Sequence, residues 1–388
     1  MRVYLDNGAT TMVDPRVVKA MLAFFSLNYA NPSSIHHAGQ EAKREMEEAR
    51  EIIARKLNAK YDEIIFTSGG TESDNLALKG VAYANKDKGN HIITTKIEHP
   101  AVLNTCKELE KEGFSVTYLD VDEQGFISIE ELEKSTTDKT ILVSIIHGNN
   151  EIGTIQDIEE IGRICKEKNI LFHTDAVQSF TKVPIDTKRI NVDLISLSSH
   201  KIHGPKGVGA LFIRKGTNIN QVAHGGSHEF KLRAGTENVP GIIGFAKAVR
   251  LTSDSDSKRI AMLRNMLING IIKEIPDVKL NGPKGDNRLC NNVNMSFANV
   301  EGESLGSYLD ISGICTSTGS ACTSHSLKPS HVLLAIGLAP DLANGTIRMT
   351  LSRFTTEEEI QYTIKMLKKY TEKLRKISPL KRALEHVL

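Results

Sequence analysis

Between residues 60 and 213, short β-branched runs alternate with helix-like stretches, and this rhythm restricts the fold more than any other feature of the chain. The runs are Ile64-Ile65-Phe66-Thr67, His91-Ile92-Ile93-Thr94, Val116-Thr117-Tyr118-Leu119, Ile141 to Ile146, Ile170-Leu171-Phe172 and Leu194-Ile195-Ser196-Leu197. Runs that stay apolar from end to end suit a sheet covered on both faces, and helices between them supply the crossovers that parallel strands need. An α/β domain around a mostly parallel sheet is the expected result. Gly39 to Ala59 sets Ala42, Met46, Ala49, Ile53 and Leu57 three to four residues apart among Glu, Lys and Arg, which predicts an amphipathic helix. Thr71-Glu72-Ser73-Asp74 reads as an N-cap, with an acid three residues after the threonine.

A chain of 388 residues has room for two or three packed units. The polar run Thr252-Ser253-Asp254-Ser255-Asp256-Ser257 predicts a boundary, followed by a helix from Arg259 to Ile272 and a smaller α+β domain. Within that domain Thr316 to Ser330 is almost devoid of apolar residues, as expected of a functional or mobile stretch.

Composition narrows the partners. Lys+Arg total 49 and Asp+Glu 47, a formal net charge of +2, so no chain-wide field draws nucleic acid or an acidic membrane. Trp is absent and aromatic residues make up 5%, too few for a platform on which bases would stack. The apolar stretch Ala20 to Phe25 is too short to span a bilayer, and the first residues resemble no export or organellar leader, so a cytoplasmic protein is expected. Five cysteines, at 106, 165, 290, 315 and 322, form no Cys-x-x-Cys pair, which argues against a disulfide scaffold or a closed zinc site. Cys106 and Cys165 fall in helix-like stretches and are expected to be small buried residues.

In an open parallel sheet, ligands bind beyond the carboxyl ends of the strands. The first run is followed by Thr67-Ser68-Gly69-Gly70-Thr71-Glu72, where a helix N-terminus could receive a phosphate. Later runs are followed by Glu98-His99, His147-Gly148-Asn149-Asn150, His173-Thr174-Asp175 with Gln178, and Ser198-Ser199-His200-Lys201. A carboxylate, Asp175, and an amine, Lys201, beside a phosphate cradle suit pyridoxal phosphate: the lysine condenses with the aldehyde, and the carboxylate keeps the pyridine nitrogen protonated. At an effective dielectric near 20 such a pair is worth about 4 kcal/mol before desolvation. A rival reading takes His173-x-Asp175 and His200-x-x-His203 as ligands of a metal-dependent hydrolase. Histidines three apart point to opposite sides of an extended segment, and this one runs into Gly204-Pro205, so no metal is expected.

With these residues in view, the chain resembles the cysteine desulfurases of the NifS/IscS type, class-V aminotransferases of pyridoxal-phosphate fold type I. The likeness runs from Tyr4 to about Arg375. It is carried by Tyr4-Leu-Asp-Asn-Gly-Ala-Thr-Thr11, Phe66-Thr-Ser-Gly-Gly-Thr-Glu-Ser-Asp-Asn75, His147-Gly-Asn-Asn-Glu-Ile-Gly153, His173-Thr-Asp-Ala-Val-Gln178, Ser198-Ser-His-Lys-Ile-His-Gly-Pro-Lys-Gly207, Arg233-Ala-Gly-Thr236, Ser317-Thr-Gly-Ser-Ala-Cys-Thr-Ser324 and Ile347-Arg348. The resemblance implies an aspartate-aminotransferase-like fold with a seven-stranded sheet. Residues 1–14 would pack with the small domain, 15–256 would form the large domain, and 257–388 the small one, with a mobile cysteine loop at 316–330. Gly8 and Gly148 depart from the family, where Ala and Val are common.

By that resemblance Lys201 carries the cofactor, Asp175 meets the pyridine nitrogen, Gln178 the ring hydroxyl and His99 the ring face. Gly70, Thr71, Ser198 and His200 hold the phosphate, joined by Thr236 of a neighbouring copy, which implies a homodimer. Asn150 and Arg348 hold the substrate carboxylate, a task suited to a planar two-pronged cation. L-Cysteine would become L-alanine, Lys201 moving the Cα proton and Cys322, as thiolate, taking the sulfur as a persulfide for a protein acceptor or iron-sulfur scaffold. The thiolate would arise through a depressed pKa or proton transfer to His99. The alternatives are a selenocysteine lyase or other pyridoxal-phosphate enzyme of aminotransferase type, and a metal or iron-sulfur carrier using Cys290, Cys315 and Cys322.

Overall fold

The structure, a computed structural model, describes residues 1–318 and 329–377. Twelve strands occur among the described residues: β1 (Val3–Tyr4), β2 (Ile64–Thr67), β3 (His91–Thr95), β4 (Ser115–Leu119), β5 (Thr140–Ser144), β6 (Leu171–Asp175), β7 (Leu194–Ser198), β8 (Gly209–Ile213), β9 (Val278–Leu280), β10 (Asn292–Phe297), β11 (Ile314–Cys315) and β12 (Thr346–Thr350). Seven build one sheet in the order β2-β8-β7-β6-β5-β3-β4. The expected mostly parallel, seven-stranded sheet is found. β8 alone runs against its neighbours, inserted between β2 and β7.

Both faces of this sheet are covered, as the unbroken apolar runs required. One face packs Phe66, Ile93, Val143, Phe172, Ile195 and Phe212 against the helix His37–Lys56 and the helix Val239–Arg250. The other packs Ile65, Ile92, Leu142, Leu194 and Leu211 against the helices Gly70–Asn85 and Pro100–Lys111. The helix expected over 39–59 thus appears at His37–Lys56, with Ala42, Met46, Ala49 and Ile53 buried.

A second apolar cluster gathers the helices Asp254–Glu274 and Glu357–Ile377 on an antiparallel sheet of order β12-β10-β9. Val3 and Leu5 belong to that cluster too, because β1 pairs with β11 in parallel. The Ser/Asp run read as a boundary is the start of a helix: Ser253 Oγ accepts from the Asp256 N–H at 3.2 Å, and Asp254 and Asp256 lie in the first turn, where the helix dipole favours acids. Thr71 is not a cap. The helix begins at Gly70 with Gly69 before it (φ 152°) and no side-chain cap, while Glu72 reaches back to accept from the Ser68 N–H at 2.7 Å.

The turn before that helix is set by close backbone packing. A Cβ on Gly209 would lie 2.5 Å from the Leu197 oxygen and 2.7 Å from Gly69 Cα, so only glycine lets β8 run against the phosphate-type turn.

A buried ion pair fixes the loop opposite. Arg50, 2% exposed, meets Glu229 through two contacts of 2.7 and 2.8 Å and donates to the Ile64 carbonyl at 2.7 Å. Glu229 also accepts from the Phe66 N–H at 2.6 Å. Glu229, Phe230 and Lys231 all have positive φ (43°, 55° and 67°), a strained run for residues with a Cβ. Arg50 holds it, its guanidinium 4.6 Å from the Phe66 ring centroid and 5.2 Å from that of Phe230.

A second buried carboxyl joins strand ends. Glu98, just past β3, accepts from the Ile146 N–H at 2.9 Å and the Thr95 hydroxyl at 2.8 Å. Burial pushes its pKa up to about 8.

Two outcomes follow from these pairs. Arg50→Met leaves the Glu229 charge buried and unpaired and should lower unfolding free energy by about 3–5 kcal/mol in chemical denaturation. The Glu98 pKa is raised on folding, so its contribution to stability is complete below about 4.5 and is lost as pH climbs through about 8. Glu98→Gln should flatten that part of a melting-temperature profile; an unchanged slope would show that Glu98 does not titrate there.

Candidate functional site

β2, β3, β5, β6 and β7 are parallel, so their carboxyl ends open on one edge of the sheet. There a cavity of about 380 Å³ is lined by residues that include Gly70, Thr71, His99, Asn150, Asp175, Gln178, Ser198, His200, Lys201 and Arg348. These are all the residues expected at the site except Thr236 and Cys322. Thr236 is exposed and lies outside this cavity; its loop is tied to the start of the helix Gly70–Asn85 by an Arg233–Glu72 ion pair at 2.8 Å. Cys322 lies outside the described residues, as does most of the stretch expected to be mobile, so its order and reach are not described.

Lys201 points into the cavity. Its Nζ donates to the Gly8 and Ala9 carbonyls, each at 2.7 Å, and its charge acts on Asp175. Asp175, 4% exposed, accepts from the Val177 N–H at 2.9 Å. Burial raises its pKa to about 6 against the lowering effects of that N–H and Lys201. Gln178 donates to the same Gly8 carbonyl at 2.9 Å. The segment 6–11 therefore forms one wall of the site, with Thr11 hydrogen-bonded to the His200 carbonyl through its N–H (3.0 Å) and hydroxyl (2.9 Å).

His99 caps the helix Pro100–Lys111: its Nδ1 accepts from the Ala101 N–H at 3.1 Å. The neutral ring then carries its proton on Nε2. Burial first, then the charges of Lys201 and His331, push its pKa down to about 4. A proton could reach Nδ1 only by breaking the cap, so in this geometry His99 is a neutral plate and an Nε2–H donor.

At the other end, the first N–H groups of the helix Gly70–Asn85 have no side-chain cap, and Ser198 Oγ is buried without a hydrogen-bond partner. His200 is hydrogen-bonded through Nδ1 to Thr10 Oγ1 at 3.1 Å. Such donors suit an anion. Arg348, 3% exposed, pairs with Asp6 at 3.2 Å and donates to the Asn150 carbonyl at 3.2 Å, while its Nε and the Asn150 Oδ1 are buried and unpartnered. The unmet Ser198 hydroxyl and helix N–H groups fit a phosphate at one end, and the unmet Arg348 Nε–H fits a carboxylate at the other, which matches pyridoxal phosphate carrying an amino acid.

The hydrolase reading fails on geometry. His173 spends Nδ1 on Ser144 Oγ at 2.8 Å and Nε2 on Ser196 Oγ at 3.0 Å, and His203 Nδ1 bonds the Met12 carbonyl. Among the described residues one group could offer metal ligands, Asp74, His99 and Asp175, and it contains no cysteine. Cys106 and Cys165 are buried, as expected, with thiol pKa values pushed up to about 12.

Three residues go beyond what their positions in the sequence indicate. Lys182 donates to the carbonyls of Gln178 (2.7 Å) and Lys201 (3.4 Å), bracing both from behind. Asp6 neutralises Arg348. Asp74, read only as part of a cap, lines the cavity. The spacing of Lys182 four residues after Gln178 was the one available signal, and it is indistinguishable from a surface helix turn. A side chain at Gly148 would meet Leu289 at 2.9 Å and one at Gly8 would meet Thr350 at 3.1 Å, so both departures from the family act on packing.

Comparison with known proteins agrees with this geometry. Residues 3–363 match the family model described as aminotransferase class-V. A cysteine desulfurase IscS of Clostridium botulinum (strain Hall) is 54% identical over 383 residues, covering 98% of this chain and 96% of the relative. That of Dictyoglomus turgidum is 55% identical over 382 residues, covering 98% and 97%. Among solved structures, a NifS-like protein superposes with a TM-score of 0.90 at 43% identity, covering 96% of this chain and all of the other. SspA in complex with cysteine gives 0.82 at 40% identity, covering 91% and 100%. With its sheet order, its strand-end cavity and these relatives, the chain belongs to the aminotransferase class-V family, among the cysteine desulfurases of the NifS/IscS type.

Proposed function

We propose that this protein is a pyridoxal-phosphate-dependent cysteine desulfurase that converts L-cysteine to L-alanine and passes the sulfur to Cys322. The observation that carries this reading is the Lys201 amine in one cavity with Asp175, His99 and Arg348, beside an uncapped helix N-terminus. The IscS relatives and the neighbour that is a cysteine complex support the substrate.

Lys201 would hold the cofactor aldehyde, Asp175 its ring nitrogen, Gln178 its ring hydroxyl and His99 its face. Gly70, Thr71, Ser198 and His200 would hold its phosphate, with Thr236 of a second copy in a homodimer. When bound, the cofactor supplies an electron sink for the substrate carbon. Everything else falls to the chain. Arg348 and Asn150 orient the substrate through its carboxylate, where Arg348 exchanges part of its pairing with Asp6 for a new anion. The Lys201 amine takes the Cα proton and returns it further along the substrate. His99, kept neutral by its cap, stacks and offers its Nε2–H. The Cys322 thiolate attacks the substrate sulfur: an S–S bond forms as the Cβ–S bond breaks, and the electron pair left on Cβ takes up a proton to give the alanine methyl group. Ser317, which leads toward Cys322, is bridged to Arg348 through both backbone hydrogen bonds (3.1 and 2.7 Å), so that segment starts beside the substrate-carboxylate residue. The persulfide would serve a protein acceptor in iron-sulfur cluster assembly or thiolation.

Two variants test the reading. Lys201→Ala should abolish the yellow absorption of the purified protein and lower turnover by roughly 10²–10⁴-fold. Cys322→Ala should keep the cofactor band and its change on adding L-cysteine, yet release no sulfide. Full L-cysteine desulfuration by Cys322→Ala would instead assign the chain to the lyase or aminotransferase alternative.

A further inference from the structure

Three carboxyl groups are buried under one end of the cavity. Asp74, on the helix Gly70–Asn85, is 1% exposed, Glu98 1% and Asp175 4%. One ligand atom from each of Asp74, His99 and Asp175 falls within 4.8 Å of the other two. The cations acting on this group are Lys201 and, when the cofactor is bound, its ring nitrogen, too few for three buried carboxylates. His99 is held neutral by its cap, and His173, 3.7 Å from Asp74, has both ring nitrogens engaged by serines. Charge balance therefore forbids ionising the whole set, and two carboxyls this close share a proton.

The hydrogen bonds decide where that proton resides. Asp175 accepts a backbone N–H, an interaction that favours its anion. Glu98 accepts from a backbone N–H and a hydroxyl. Asp74 has Ser196 beside its carboxyl, while its Oδ1, 3.7 Å from His173 Nε2, is buried and has no hydrogen-bond partner. We propose that Asp74 is a positioning residue that stays protonated and donates its hydrogen to Asp175, fixing that carboxylate as a single oriented anion for the cofactor's ring nitrogen. This rests on the pyridoxal-phosphate reading above and adds to it a residue that touches the cofactor only through Asp175. A protonated carboxyl and an amide are alike in shape and in donor capacity, which makes the proposal separable from a merely structural role.

The test uses the full chain as wild type, Asp74→Asn and Asp74→Ala. Pyridoxal phosphate is titrated into each apoprotein to obtain a dissociation constant, and the visible band of each holoprotein is followed against pH. Asp74→Asn should match the wild type within about twofold in affinity and show the same band titration. Asp74→Ala should bind the cofactor about tenfold more weakly, the loss of one hydrogen bond to a charged group, and shift the titration. A wild-type affinity and titration in Asp74→Ala would overturn the proposal. So would an Asp74→Asn variant as impaired as Asp74→Ala, which would show that the ionised carboxylate is required. Should Asp74→Ala fail to fold, Asp74→Asn decides alone, a weaker cofactor or a moved titration overturning the proposal. A wild-type apoprotein that takes up no pyridoxal phosphate overturns the cofactor reading itself, and this one with it.

Discussion

A carboxylate at the end of β6 and an amine just past the end of β7 share one cavity because the two strands are parallel neighbours. The pair is the interaction on which the rest of the site depends. Without Lys201 nearby, Asp175 would be a desolvated acid with one backbone N–H for support, and without Asp175 the Lys201 amine would lose the buried carboxylate its charge acts on. Its surroundings keep the two in balance. Gly8 and Ala9 offer carbonyls to the amine, Lys182 braces its backbone, and the neutral His99 adds no competing charge.

The cavity is graded along its length. At the helix N-terminus, the N–H groups have no side-chain cap and Ser198 Oγ no partner, whereas at the far end Arg348 is paired with Asp6. Under the proposed function a substrate carboxylate would compete with this internal carboxylate for the guanidinium, and Asp6 balances the buried Arg348 charge.

Much of this was legible in the sequence, for a physical reason. Strands covered on both faces appear as unbroken apolar runs, so the sheet and the residues at its edge were found together. β8 carries such a run, Gly209 to Ile213, but nothing local marks it as antiparallel. Other features depend on partners far away in the chain. Thr71 looked like a cap because its own residues suit one; the turn is set instead by the approach of Gly209, which no local pattern reveals. The Ser/Asp run gave no local sign that it would itself open a helix, because polar residues that cap a helix and polar residues that lie between domains are the same residues. Asp6, Asp74 and Lys182 have roles fixed by juxtaposition across long separations, and a single sequence does not encode that in any short window.

The first strand belongs by pairing to the smaller cluster of elements, yet the residues that follow it supply the carbonyls on which the Lys201 amine rests. Leu5, Asn7 and Gly8 are stitched to Thr350, and Thr11 to His200, so this stretch is a tether fastened at both ends. Any shift of the smaller cluster against the large sheet is consequently transmitted to the acceptors of the Lys201 nitrogen. The position of that nitrogen is thereby coupled to the seating of the smaller cluster, and the opening residues of the chain are the link between them.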